Sequence, residues 1–288
     1  MNTREISSLS IISNLYEIFI FDLWGTIYNG KALFPGIKLL LENLKARQKT
    51  IIFLSNSPQL PNVVAQRLSR LGLSTLHYDL LVTSGGEANE QLLSGISPVI
   101  SSFNGLVFEL GPNRFPNALP INKFTTTESI VEANWIFNAG PDKESNRLGD
   151  YKNLLVGAKQ RDLPMLCTNP DKLVFHGEER QLCAGGIAEF YESIGGNVSY
   201  IGKPYPNVFE RCLEFADNFD NKKIIMIGDN LETDIIGADS IGIDSILIAS
   251  GVHQLSDSIE TSISSNRLFD LQIKFGTKAT FVMTWLAW

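Results

Sequence analysis

Asp22, Ser55, Lys203, Asp229 and Asp234 are the side chains of this chain whose types and order could do chemistry together. A carboxylate can attack phosphorus and carry the phosphoryl group as an acyl phosphate. A hydroxyl and an ammonium can hold the phosphoryl oxygens. Two or three carboxylates can hold Mg²⁺, which takes hard oxygen ligands and shares the substrate phosphate. The cation also offsets repulsion between an anionic nucleophile and an anionic ester. Each residue has a plainer reading when taken singly. Asp22 could cap a turn, Ser55 and Asn56 a helix. Lys203 could be a solvated surface lysine, and Asp234 could complement a helix dipole. For Ser55 and Asn56 the helix-capping reading stands level with the chemical one; for the others the joint order of the motifs along the chain makes the separate explanations minor.

The elements that must position them are legible. Ile18-Phe19-Ile20-Phe21 runs straight into Asp22, and Gly25-Thr26 then turns the chain. Such a continuous apolar run suits a strand buried on both faces of a parallel sheet. Thr50 to Leu54 ends in Ser55-Asn56-Ser57, Leu80 to Thr83 forms a third strand, and Lys223 to Ile227 runs into Gly228-Asp229. Between the early strands lie helical patterns. One opens at Pro35-Gly36 with Ile37, Leu40, Leu41 and Leu44 at helical spacing; another has Pro61 near its start and Gly72 past its end. Alternating strand and helix predicts a doubly wound parallel sheet, with ligands bound beyond the carboxyl ends of the strands.

The pattern breaks near Ser97. Strands at Leu106 to Gly111, Trp135 to Asn138 and Pro164 to Cys167, with helices at Asp150 to Lys159 and Cys183 to Ile194, define an inserted α/β domain. The expected organisation is a core of residues 1–96 and 198–288 interrupted by a cap of residues 97–197, the first sheet resuming at Val198-Ser199-Tyr200-Ile201. A short helix is expected over Ile6 to Tyr16, a polar surface segment over Val252 to Asn266, and a strand or docked tail at the end.

Composition narrows the function classes. With 31 acidic against 24 basic residues the net charge is −7, which argues against nucleic acid or an anionic membrane as the main partner. Three cysteines without metal spacing suggest reduced thiols and a cytoplasmic setting. No signal peptide is expected, and the apolar run at the end is too short to span a bilayer.

In order, the motifs Asp22-Leu23-Trp24-Gly25-Thr26, Ser55-Asn56-Ser57, Gly202-Lys203-Pro204-Tyr205-Pro206 and Gly228-Asp229-Asn230-Leu231-Glu232-Thr233-Asp234 resemble the haloacid dehalogenase (HAD) superfamily of phosphohydrolases. The long insert, with Val82-Thr83-Ser84, Thr168-Asn169-Pro170-Asp171 and Cys183-Ala184-Gly185, resembles that of its IIA branch, which is NagD-like or 4-nitrophenylphosphatase-like. The resemblance spans about Tyr16 to Gly251 and implies a Rossmann-like core under a type-IIA (C2) cap. It implies Asp22 as nucleophile and metal ligand, and the backbone carbonyl of Trp24 and Asp229 as further ligands to Mg²⁺. Asp234 would support the metal or orient Lys203, with Asn230 beside it. Ser55, Asn56 and Lys203 would bind the phosphoryl group. The implied partner is a small phosphorylated metabolite, with a homodimer through the cap by analogy.

One residue departs from the pattern. Phosphatases of the superfamily usually carry a second Asp two positions after the nucleophile, which protonates the leaving oxygen and later activates water. This chain has Trp24 there. An indole offers one N–H donor and no usable titration, and loss of such a group costs about 10²–10⁴ in rate. Three outcomes stay open: good leaving groups only, a proton donor from elsewhere such as His176, or a phosphometabolite-binding module with little turnover. Substrate choice is expected in the cap, around Gly140, Asn169, Asp171 and the stretch His176 to Arg180.

Overall fold

The computed structural model describes residues 3–95, 103–120, 122–143, 146–176, 179–216, 220–255 and 263–288. The expected start of the insert near Ser97 lies outside the described residues. In chain order, the first part contributes β1 (Arg4–Glu5), β2 (Ile18–Phe21), α1 (Ile37–Ala46), β3 (Thr50–Ser55), α2 (Pro61–Arg70), β4 (Leu80–Thr83) and α3 (Ser84–Ser94). The insert contributes β5 (Leu106–Leu110), β6 (Thr125–Thr127), β7 (Trp135–Asn138), α4 (Lys152–Gln160), β8 (Met165–Cys167), the hairpin β9 (Leu173–His176) and β10 (Glu179–Leu182), α5 (Ala184–Ser193) and β11 (Val198–Tyr200). The last part adds α6 (Pro206–Phe215), β12 (Ile224–Gly228), α7 (Ile236–Ser240), β13 (Asp244–Ile248), α8 (Ser265–Phe275) and β14 (Phe281–Met283).

The first sheet has the order β1-β14-β13-β12-β2-β3-β4, and every pair in it is parallel. From β2 the chain steps outward to β3 and β4, then returns to β12 on the other side. The strand order therefore reverses between β2 and β12, which is where a doubly wound sheet opens its crevice. Both faces of β2 are buried: Ile18 and Ile20 join one apolar cluster, Phe19 and Phe21 the other. This is why its sequence reads as unbroken apolar residues. Helix α1 buries Ile37, Leu40, Leu41 and Leu44, the four residues its spacing singles out.

The second sheet, β11-β8-β7-β5-β6, is also parallel throughout. Its strands alternate by face. Trp135 and Phe137 join the cluster that includes Ile18, Ile20 and Leu92, whereas Ile136 packs under α4 and α5. Val198–Tyr200 corrects the sequence reading: it does not resume the first sheet but pairs with β8 at the edge of the second. The three residues are only partly buried, and so short an edge strand carries no periodicity that says which sheet it joins. Two further elements differ from expectation: Ile6 to Tyr16 holds only a three-residue 3-10 turn, and α8 begins at the last two residues of the stretch read as polar surface and runs on to Phe275. The end of the chain does supply a strand, β14, which inserts between β1 and β13. Among the described residues no helix is long and apolar enough to cross a membrane.

Candidate active site

Asp22 follows β2 directly, and its N–H donates to Ile227 O of β12 at 2.8 Å. Asp229 follows β12, and Ser55 is the last residue of β3. The strand ends at the switch point thus deliver these side chains to one place. Lys203 comes from the loop between the two sheets and is buried with them. Its ammonium donates to Asp22 Oδ1 at 2.5 Å and to Asp234 Oδ1 at 2.7 Å. Among the described residues Asp22, Asp229 and Asp234 form the one acidic cluster compact enough for a metal, with an oxygen from each within 4.8 Å of the others.

The free oxygens identify what the cluster can hold. Asp22 Oδ2 is buried without a hydrogen-bond partner, and such an atom costs free energy unless something answers it. Asp229 Oδ2 accepts from Val252 N–H at 2.8 Å, which fixes the carboxylate on the cavity wall. Both oxygens of Asp234 are taken, one by Lys203 and one by Asn230 N–H at 3.1 Å. Asp234 therefore orients Lys203 and closes the loop after β12, where the chain makes a π-helical turn over Leu231–Ile235. Burial pushes the Asp22 carboxyl up to about 7, against the pull of Lys203 and with a further push from Asp234. Burial and the charges of Asp22 and Asp234 hold Asp229 well above the usual carboxylate range. Burial works against the Lys203 ammonium, but Asp22, Asp234 and Asp171 outweigh it and raise its pKa. Three carboxylates around one ammonium leave uncompensated negative charge. A divalent cation between Asp22 and Asp229 answers both the charge and the orphaned oxygen, so the donor set fits one.

Space around the cluster is kept by missing side chains. At Gly25, where φ is +91°, a Cβ would lie 2.3 Å from Asp229 Oδ2; at Gly251 it would lie 2.1 Å from Asp229 Cβ. Above them opens a cavity of about 870 Å³, walled by both sheets' loops. Trp24 is half-buried in its wall, its ring 5.3 Å from that of Tyr28 and seated against Gly30.

Several expected site residues behave differently from their sequence reading. Asn56 was expected on the phosphoryl group, but its side chain is spent inside the protein. Nδ2 donates to Asp171 Oδ1 and Lys203 O, both at 3.0 Å, and Oδ1 accepts from Lys203 N–H at 2.7 Å. The buried amide cannot leave these groups unpaired, so it ties the insert to the core. Asn230 caps the following turn by accepting from Glu232 N–H at 2.9 Å. Asn169 and Asp171 do line the cavity; Asn169 Oδ1 is held by Asp171 N–H at 3.1 Å in a local turn. His176 ends β9, and its side chain lies outside the described residues. Arg180 is exposed on the hairpin and outside the cavity wall, whereas Arg114, not singled out in the sequence, lines it with Gln181, to which it donates at 2.6 Å. The Gly251-Val252 loop was also missed. Its signal was a glycine just after a buried strand of the same sheet, at the edge where the other motifs meet.

Fold and cavity define a doubly wound α/β hydrolase with its acidic site at the switch point, roofed by an inserted lobe. Comparison with known proteins agrees. Residues 19–119 match the haloacid dehalogenase-like hydrolase family, and residues 200–270 a second HAD-hydrolase-like family. The chain is 27% identical to chronophin of Mus musculus over 257 residues, covering 83% of this chain and 82% of that one. It is 25% identical to an acid sugar phosphatase of Staphylococcus aureus over 248 residues, covering 84% and 90%. The crystal structure of a haloacid dehalogenase-like hydrolase from Brucella suis superposes with a TM-score of 0.83 at 26% identity, covering 98% of this chain and 100% of that one. The chain belongs to the haloacid dehalogenase-like hydrolases, with the insertion of their subfamily IIA.

Proposed function

We propose that the protein is a Mg²⁺-dependent phosphohydrolase of a small phosphorylated metabolite. The observation that carries this reading is the buried cluster of Asp22, Lys203, Asp229 and Asp234, with an oxygen from each aspartate within 4.8 Å of the others and Asp22 Oδ2 without a hydrogen-bond partner. Mg²⁺ held by Asp22, Asp229 and the Trp24 carbonyl would neutralise charge on the phosphoryl oxygens. Asp22 attacks phosphorus and carries the phosphoryl group; Lys203, fixed by two carboxylates, stabilises the charge that develops. Ser55 lies on the cavity wall where its hydroxyl can reach a phosphoryl oxygen. The cavity is larger than a phosphate needs and leaves room for the rest of a small substrate. The acid sugar phosphatase relative favours a sugar-sized substrate. A cytoplasmic setting and pairing of two copies through the insert belong to the same reading; sedimentation tests the pairing.

The test is phosphate release from 4-nitrophenyl phosphate and a panel of sugar phosphates, with and without magnesium. Release that needs magnesium and falls to background in Asp22→Asn is the expected result. Ligand binding that ignores magnesium, with no release, would instead make the protein a phosphometabolite-binding module.

A further inference from the structure

We propose that Asp171, carried by the inserted lobe, is the general acid and base of the reaction, the role that Trp24 cannot perform. The inference rests on the phosphohydrolase reading above. Four carboxylates line the cavity: Asp22, Asp171, Asp229 and Asp234. Three belong to the cation cluster, and Lys203 or backbone N–H groups hold them there. Asp171 is the fourth. Its Oδ1 accepts from Asn56 Nδ2 at 3.0 Å, and its Oδ2 has no hydrogen-bond partner among the described residues. An amide donating to one oxygen leaves the other to carry an acidic proton into the cavity.

The backbone holds this carboxyl still. Asp171 N–H donates to Asn169 Oδ1 at 3.1 Å, and Asp171 O accepts from Gly185 N–H at 3.1 Å. Gly185 can approach because it lacks a Cβ, which would lie 2.1 Å from Pro170 O. The same Asn56 that holds Asp171 is bonded to the backbone of Lys203, whose ammonium lies on Asp22. Hydrogen bonds through Asn56 therefore tie Asp171 to the backbone of Lys203, and Asp171 lines the same cavity as the nucleophile Asp22. Burial, partly countered by Lys203, raises the Asp171 carboxyl above its ordinary range, which suits a proton donor. Other groups on the wall are poorer proton donors near neutral pH. Burial pushes the Cys183 thiol and the Tyr28 phenol up, and Trp24 does not titrate.

The step balances. As Asp22 forms its bond to phosphorus and the ester P–O bond breaks, the Asp171 proton passes to the leaving oxygen and the alcohol departs. The Asp171 carboxylate then takes a proton from water as the water oxygen attacks phosphorus. The bond from phosphorus to Asp22 breaks, returning the Asp22 carboxylate, protonated Asp171 and inorganic phosphate, with one water consumed.

The experiment compares wild type and Asp171→Asn on 4-nitrophenyl phosphate, phenyl phosphate and a simple alkyl phosphate with magnesium. In Asp171→Asn, kcat/KM should fall about 10²–10⁴-fold for the alkyl ester and far less for the nitrophenyl ester, whose leaving group needs no proton. The variant should also show a burst of nitrophenolate near one equivalent per enzyme, because loss of the base slows breakdown of the phosphorylated Asp22. An equal loss on all three esters without a burst, or no loss, overturns the proposal. Wild type gives a check that does not depend on the variant folding: a kcat/KM that drops steeply as the leaving group worsens shows that no acid acts, and overturns it too. If wild type releases no phosphate from any ester, or Asp22→Asn changes nothing, the phosphohydrolase reading itself has failed.

Discussion

Lys203 touches Asp22 and Asp234 directly but not Asp229, so the two carboxylates that face the cavity are unequally compensated. Burial raises Asp22 from an ordinary value near 3.8 to about 7 even against the pull of Lys203, and burial together with the neighbouring carboxylates raises Asp229 as well. A carboxyl whose folded value is raised favours the fold most below its unfolded value, and that contribution is lost as pH rises through the folded one. Without a divalent cation, the melting temperature should therefore fall between about pH 4 and pH 7, and thermal scans across that window test it. Magnesium requires the ionised carboxylates, so its binding should release protons below about pH 7. Calorimetric titration in two buffers of different ionisation enthalpy measures this, and Asp229→Asn should remove both the proton release and the binding. At this scale the sequence showed which residue types converge but not how their hydrogen bonds are spent. Asn56 and Asp234 look like phosphate or metal contacts in a motif; only coordinates reveal that their polar atoms are committed to Lys203, Asp171 and Asn230.

Strands and their end-loops carry those side chains, and the loops were the least readable elements. Both faces of β2, β3 and β12 are buried, so their apolar runs declare them. The edge strands β1, β6 and β11 are two or three residues long and partly exposed, so neighbours rather than their own pattern define them. The loop after β13 illustrates the cost of missing such a feature. Val252 N–H holds Asp229 Oδ2, and Gly251 lies so close that a methyl group would meet Asp229 Cβ at 2.1 Å. Gly251→Ala must displace the carboxylate or the loop. Loss of a group that orients a metal ligand typically costs about 10–100-fold in metal affinity. Gly251→Ala should lower magnesium affinity by that range, read by calorimetric titration. Gly242→Ala is a poor control because its φ of +71° would strain any replacement, whereas Gly149→Ala meets nothing within 4 Å and should bind magnesium as wild type does.

Across the whole molecule the two sheets are not separate bodies strung on linkers. One apolar cluster runs from Ile18, Ile20 and Met226 of the first sheet, through Leu92 of α3 and Phe209 of α6, to Val107, Trp135 and Leu166 of the second. Hydrogen bonds add to it: Asn56 reaches Asp171, and the Lys123 ammonium donates to Leu92 O and Leu93 O of α3. A core shared in this way couples the stabilities of its halves, since exposing one face exposes the apolar surface it covers on the other. Thermal unfolding should then be one transition, with calorimetric and van't Hoff enthalpies equal. Trp135, fully buried against Phe103, Phe124 and Phe137, is the side chain that probes this coupling. Truncating such a residue to alanine costs about 3–5 kcal/mol. Trp135→Ala should shift the entire transition downward, and the magnesium-induced rise in melting temperature should persist, because the cation site remains intact in the folded state. Two resolved transitions in wild type, only the upper of which responds to magnesium, would show instead that the insert melts independently of the sheet that carries Asp22.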